Sequence, residues 1–365
     1  MKNLVILGAG TAGTMMANHL VKKLNKKEWQ ITLVDQFKSH YYQPGFLFIP
    51  FGTYQPEDVK RTIDEFLPKG IQLIREKIDR IDKDTDTVIL ENGRNVKYDI
   101  LIIATGCKIA PEEVPGMKGD TWQKNIFDFY TFEGSCALAK KLETWPGGKL
   151  VVHITEMPIK CPVAPLEFAF LADDYFTKKG MRDKVEISYV TPLSGAFTKE
   201  KCTKALEYLL KDKNIKIVPD FAVEHIEGEN GKMFDYGGEV VDFDLLVTVP
   251  TNMGDECILR SGFGDDLNYV PTDKNTLQSK VKENIFVIGD ATNVPASKAG
   301  SVAHFEAEIL TENILKYIEG KPLNPKFDGH ANCFIETGKR KALLIDFNYD
   351  VEPLKGKLPL ARIPP

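Results

Sequence analysis

The turn Gly8-Ala9-Gly10-Thr11-Ala12-Gly13 constrains this chain more than any other feature. It follows the apolar run Leu4–Leu7 and opens a segment with apolar residues at Ala12, Met15, Met16, Leu20 and Leu24, which is helical spacing. A second apolar run, Ile31–Val34, ends at Asp35. Three glycines alone say little. Strand, glycine turn, helix and strand, with an acid about 20 residues on, specify a dinucleotide-binding βαβ unit. Gly8 permits the tight turn, Gly10 lets backbone approach a pyrophosphate, and Gly13 lets the helix pack on the strand. The helix N-terminus offers free N–H groups to the phosphates, and Asp35 would accept from a ribose hydroxyl.

Two distant segments decide which dinucleotide. Asn284–Ala291 reads as a short buried strand ending in Gly289-Asp290, and Ile102–Gly106 as an apolar strand ending in Ala104-Thr105-Gly106. Together with the glycine turn they resemble the two-dinucleotide flavoproteins, in which such an Asp reaches the ribityl chain of FAD. The resemblance implies an α/β fold of two tandem Rossmann-like domains. Residues 1–112 and 275–320 would form the FAD domain, 113–274 a second domain inserted into it, and 321–365 a short C-terminal segment. Thr105, Gly106, Gly289 and Asp290 join Gly8, Gly10, Gly13 and Asp35 as expected FAD contacts. A helix from about Ser297, its expected N-cap, to about Tyr317 would point at the flavin. Its dipole and Lys298 would then stabilise a reduced, anionic flavin.

A pyridine-nucleotide reductase would carry a second glycine turn after the strand Lys149–Ile154. The chain has Thr155-Glu156-Met157-Pro158-Ile159-Lys160-Cys161-Pro162 there, with no glycine and an acid that repels phosphate. NAD(P)H is therefore not the expected electron source. Cys161 stands just before a helix beginning near Pro162, beside Lys160, a setting that lowers a thiol pKa. The six cysteines include no CxxC pair, so neither a zinc cluster nor a disulfide framework is expected. A net charge of −5 argues against nucleic-acid binding.

Ile159–Glu167, Leu171–Phe176, Val270–Asp273, Thr276–Gln278 and Ala342–Phe347 resemble the sulfide:quinone oxidoreductases. The resemblance implies that Cys161 and Cys333, 172 positions apart, hold sulfur between them as a bridge beside the flavin. It also implies Glu167 as a proton-handling acid, Phe334 at the quinone pocket, sulfide as electron donor and a quinone as acceptor. There are departures. Asn125–Tyr130 lacks the cysteine that in some members binds FAD covalently, so non-covalent FAD is expected, and Cys136 is expected to be packing. Lys199 and Phe197 occupy the region of an expected histidine. The tail Pro353–Pro365 mixes basic and apolar residues with prolines that preclude a long amphipathic helix. Membrane association is thus expected to be peripheral and weakened, or the chain cytoplasmic, with neither signal peptide nor transmembrane helix; a homo-oligomer stays open. The competing readings are a soluble persulfide or polysulfide oxidoreductase, a type II NADH:quinone oxidoreductase, and a non-enzymatic FAD-dependent scaffold.

Overall fold

The computed structural model describes residues 1–351. Its first sheet is built around Lys2–Leu7. Five parallel strands run in the order Ile285–Val287, Ile100–Ile103, Lys2–Leu7, Trp29–Val34, Ile71–Ile74. Every side chain of Leu4–Leu7 and Ile100–Ile103 is buried. Such continuous apolar runs belong to a parallel sheet covered on both faces. On one face, Leu4 and Ile6 pack with Met16, Ala17 and Leu20 of helix α1 (Thr11–Leu20). On the other, Val5 and Leu7 meet Val88, Leu90 and Val96, which come from a three-stranded antiparallel sheet. Strand Ile285–Val287 completes the sheet from almost 200 residues beyond Ile100–Ile103, its register partner.

The chain leaves this sheet through Cys107–Ala110 and returns through Thr251–Gly254, and these two strands pair antiparallel. Between them lies a second five-stranded parallel sheet, ordered Ile126–Phe127, Leu245–Val249, Gly148–Ile154, Val185–Val190, Ile215–Val218. Helices α2 (Phe132–Thr144) and α3 (Ala164–Lys178) join its core, and α4 (Glu200–Asp212) lies on Ile215–Val218. Helix α5 (Glu256–Ser261) is capped by Asp255, whose side chain accepts from the Cys257 amide. Helix α6 (Gly300–Ile318) follows strand Ile285–Val287. It is capped at Ala299, so Ser297 is not the N-cap expected from the sequence. The backbone turns helical two residues later because Lys160 and Lys298 first form a β-bridge.

After α6 an antiparallel hairpin, Ala331–Gly338 with Lys341–Phe347, packs against α3. One hydrophobic cluster runs without a break through both sheets, α3, α6 and this hairpin. The tail Pro353–Pro365 lies outside the described residues. Among those described, no helix is long and apolar enough to cross a membrane.

Asp173 of α3 binds Arg182 Nε at 2.7 Å and Lys213 Nζ at 3.0 Å, all three side chains at most a fifth exposed. Removing one partner of such a pair strands buried charge. Asp173→Ala should therefore destabilise the second unit by about 3 kcal/mol, seen as a lower urea midpoint for tryptophan fluorescence.

Candidate active site

The glycine turn is shaped by what surrounds it. A Cβ on Gly8 would stand 2.4 Å from the Ala104 carbonyl, and one on Gly13 would stand 1.8 Å from the Gly8 carbonyl. Beside Gly10 nothing lies within 4 Å of where a Cβ would be. The first and third glycines are thus needed for packing, and the second faces open space. Gly10 itself caps α1, with no side chain occupying the helix end. Asp35 is half-buried and accepts from the Ala9 amide at 2.6 Å and the Phe37 amide at 2.7 Å, one on each oxygen. Each oxygen keeps a further lone pair for a ribose. Burial raises its pKa above the usual carboxylate value. The Thr105 hydroxyl is buried without a partner.

Gly289 and Asp290 form a 3₁₀ turn directly after strand Ile285–Val287. The Gly289 amide donates to Glu306 of α6 at 2.7 Å. Burial pushes the Glu306 carboxyl up to about 8. Lys298 is buried, which lowers its pKa. Its ammonium donates to the Asp290 carbonyl at 3.0 Å and the Thr292 carbonyl at 2.7 Å, and stands 3.8 Å from the centre of the Tyr269 ring. One of its three protons is left. Lys298 therefore braces the Asp290 turn, and it precedes the helix instead of opening it.

The same residue holds the cysteine loop. The Cys161 amide donates to the Lys298 carbonyl at 2.6 Å. The Cys161 carbonyl accepts from the Tyr130 hydroxyl at 3.0 Å and from the Ala164 amide at 3.0 Å. Lys160, next door, donates its amide to Asn252 Oδ1 at 3.0 Å. These bonds secure Cys161 in the left-handed backbone region, φ +49°. Helix α3 starts at Ala164, three residues on.

Across from this loop, Glu167 on the first turn of α3 accepts the Glu336 amide of the hairpin at 3.0 Å. That bond draws the Cys333 strand against the start of α3. Cys161 and Cys333 are both free, partly buried thiols in the structure, and a charge on Cys333 raises the pKa of Cys161. Burial, foremost, and the Glu167 charge lift both thiols above their ordinary value, Cys333 to about 12. The lowered thiol pKa expected at Cys161 is therefore corrected. The loss of hydration and the nearby carboxyl outweigh Lys160, whose ammonium is drawn away to Gln43 Oε1 at 2.7 Å. Burial likewise holds Glu167 up to about 7. Phe334 takes no part on this side: strand alternation turns it outward, 69% exposed.

Residues 2–152 match the family described as pyridine nucleotide-disulphide oxidoreductase. The mitochondrial sulfide:quinone oxidoreductase of Dictyostelium discoideum is 28% identical over 357 residues, spanning 96% of this chain and 78% of that protein. That of Mus musculus is 25% identical, spanning 96% and 79%. This chain is similar to the sulfide:quinone oxidoreductases over nearly its whole length. The solved sulfide:quinone oxidoreductase of Aquifex aeolicus shares its fold, with a TM-score of 0.81 at 23% identity over 95% of this chain and 84% of that one. The similarity implies a flavin, FAD, as the cofactor. The residues fit it. The open space at Gly10, the free α1 terminus, Asp35, the orphaned Thr105 hydroxyl and the Asp290 turn make one continuous cradle.

Sequence reasoning missed four supporting residues. Tyr130 holds the Cys161 carbonyl, Asn252 the Lys160 amide, and Glu306 the Gly289 amide. Cys107 directs its thiol at both Asp290 Oδ2 and Asn252 Oδ1, 3.8 Å from each. Only Cys107 carried a usable signal, since it directly follows Ala104-Thr105-Gly106. The others are separated in sequence from what they hold.

A carboxyl whose folded pKa is raised binds its proton more tightly folded than unfolded, so stability falls as pH rises between the two values. For Glu306 that window runs from 4.5 to about 8. Glu306→Gln keeps an acceptor for the Gly289 amide and removes the titration. Its thermal midpoint should fall less steeply than that of the parent protein as pH is raised through this window.

Proposed function

We propose that this protein oxidises sulfide to polysulfide or zero-valent sulfur through a Cys161–Cys333 sulfur bridge and passes the electrons through non-covalently bound FAD to a quinone. The observation that carries the reading is the Glu167–Glu336 hydrogen bond. It draws together two thiols 172 positions apart, while the Cys161 amide is tied to Lys298 at the flavin turn. In this reading residues 1–112 and 275–320 bind FAD, 113–274 carry Cys161, and 321–365 face the quinone.

In the oxidised protein hydrosulfide attacks the Cys161–Cys333 bridge. An S–S bond breaks, a persulfide forms on one cysteine, and the other leaves as a thiolate. Two buried thiols with raised pKa values need a proton partner within the site. Glu167, held near neutrality and influencing both, takes and returns that proton. The left-handed turn at Cys161, bound at both its amide and its carbonyl, keeps the sulfur in place as its bonds change. FAD, when bound, supplies the two-electron acceptor that lets the bridge re-form. For each sulfur, HS⁻ yields zero-valent sulfur, one proton and two electrons, and the quinone takes those electrons with two protons.

The stretch after Lys149–Ile154 supports sulfide over NADH as donor. Glu156 lies where a pyrophosphate would approach, and its carboxylate accepts from the Thr251 hydroxyl. Sulfide added anaerobically to the yellow protein should bleach the flavin, NADH should not, and a short-chain quinone should restore the colour. Cys161→Ser and Cys333→Ser should each abolish bleaching while retaining FAD. Rapid bleaching by NADH, or full sulfide activity in either serine variant, would overturn the reading.

Glu167→Gln retains an acceptor for the Glu336 amide but cannot move a proton. Bleaching by sulfide should slow by roughly 100-fold, within the range for general acid–base catalysis. The ratio of parent to variant rates cancels the ionisation of sulfide itself. As the parent carboxyl ionises with a pKa of about 7, that ratio should rise with pH through neutrality.

A further inference from the structure

The outer face of the C-terminal hairpin carries a second group of side chains that the sulfur chemistry does not use. Alternation along Ala331–Gly338 turns Cys333 and Ile335 inward and puts Asn332 and Phe334 on the other face. His330, immediately before the strand, lies on that side too. Across the hairpin, Asn332 is registered with Asp346 and Phe334 with Leu344. His330 Nε2 meets Asp346 Oδ1 at 2.9 Å. Its ring stacks on Phe305 of α6, centres 4.2 Å apart and planes 15° apart. Nδ1 of His330 makes no hydrogen bond among the described residues. The two side chains are 31% and 23% exposed, open enough to exchange protons with water yet held in one orientation.

This face is close to the flavin turn through α6. Ser301 donates to the Asn332 carbonyl at 2.7 Å. Four and five residues further along the helix, Phe305 turns to His330 while Glu306 turns inward to the Gly289 amide. The first two turns of α6 are thus the wall between the Asp290 turn and the outer face. Phe334 and Leu344 lie one strand repeat, about 7 Å, from Asn332 and Asp346. A planar apolar surface beside a pre-oriented His–Asp pair suits a flat conjugated ring bearing carbonyl oxygens.

Resting on the quinone reading above, we infer that His330, oriented by Asp346 and Phe305, is the proton donor to the quinone carbonyl on the outer face of the hairpin. The reduction needs two electrons and two protons. The electrons would come from the cofactor that the Asp290 turn would help to hold. One proton passes from His330, through Nδ1, to a quinone oxygen, while the contact of Nε2 with Asp346 and the stack on Phe305 hold the ring in place. Water returns that proton to His330 and supplies the second. Hydroquinone leaves, and the His–Asp pair is unchanged over the cycle.

The two half-reactions separate this inference from the reading on which it rests. His330→Gln keeps a polar side chain that cannot act as an acid, and Asp346→Asn removes the orienting charge. Holoprotein reduced by sulfide should be reoxidised by a short-chain benzoquinone at least 10-fold more slowly in His330→Gln, and less severely so in Asp346→Asn. Bleaching by sulfide should stay within twofold of the parent. Reoxidation by ferricyanide, which accepts electrons without protons, should stay within twofold as well. Unaltered quinone reoxidation in His330→Gln overturns the assignment, and so does an equal loss with ferricyanide, which marks a structural effect. A parent protein that ferricyanide reoxidises and quinone does not would instead remove the quinone reading itself, and this role with it.

Discussion

Lys298 is where the two halves of the site are fastened together. Its carbonyl accepts from the Cys161 amide, and its ammonium donates to the carbonyls of Asp290 and Thr292. A buried ammonium is unfavourable unless its protons are engaged. Here two carbonyl dipoles and the face of Tyr269 meet that demand. The Asp290 turn and the Cys161 loop are consequently one rigid object. A shift in either would leave a buried polar group without its partner.

A second fastening, from Glu167 to the Glu336 amide, adds the hairpin. It contributes position and chemistry together. The bond places a carboxyl where water is excluded, and exclusion of water raises that carboxyl toward neutrality. The same exclusion raises the thiols. Burial therefore raises the two thiols and the carboxyl beside them together. Glu306 at the Asp290 turn follows the same pattern. Glu167 and Glu306 thus mark where α3 meets the hairpin and where α6 meets the Asp290 turn.

The hairpin has two faces because strand side chains alternate. Cys333 looks toward sulfur chemistry, while His330 and Phe334 look away from it. One strand thus presents two chemically different faces, a thiol toward α3 and an imidazole and a phenyl ring away from it. The sequence places Cys333 and Phe334 side by side, and their opposite destinations follow from a period of two.

The amino-acid sequence by itself determined the parts whose physics is local. The turn from Gly8 to Gly13, the runs Leu4–Leu7 and Ile100–Ile103, and the Gly289-Asp290 turn are each legible from a few neighbouring residues, because backbone freedom and burial on both faces of a sheet leave a signature at short range. The absence of a second glycine turn was equally plain. Tertiary structure alone decided the rest. Whether Cys161 lies at a helix N-terminus or three residues before one depends on a bridge to Lys298, 137 residues away. Whether its thiol is acidic or basic depends on how much water the hairpin excludes. Tyr130, Asn252 and His330 owe their places to partners distant in the chain or to a face of a folded hairpin. Hydration and long-range hydrogen bonding are properties of the assembled surface, and neither exists until the chain has folded.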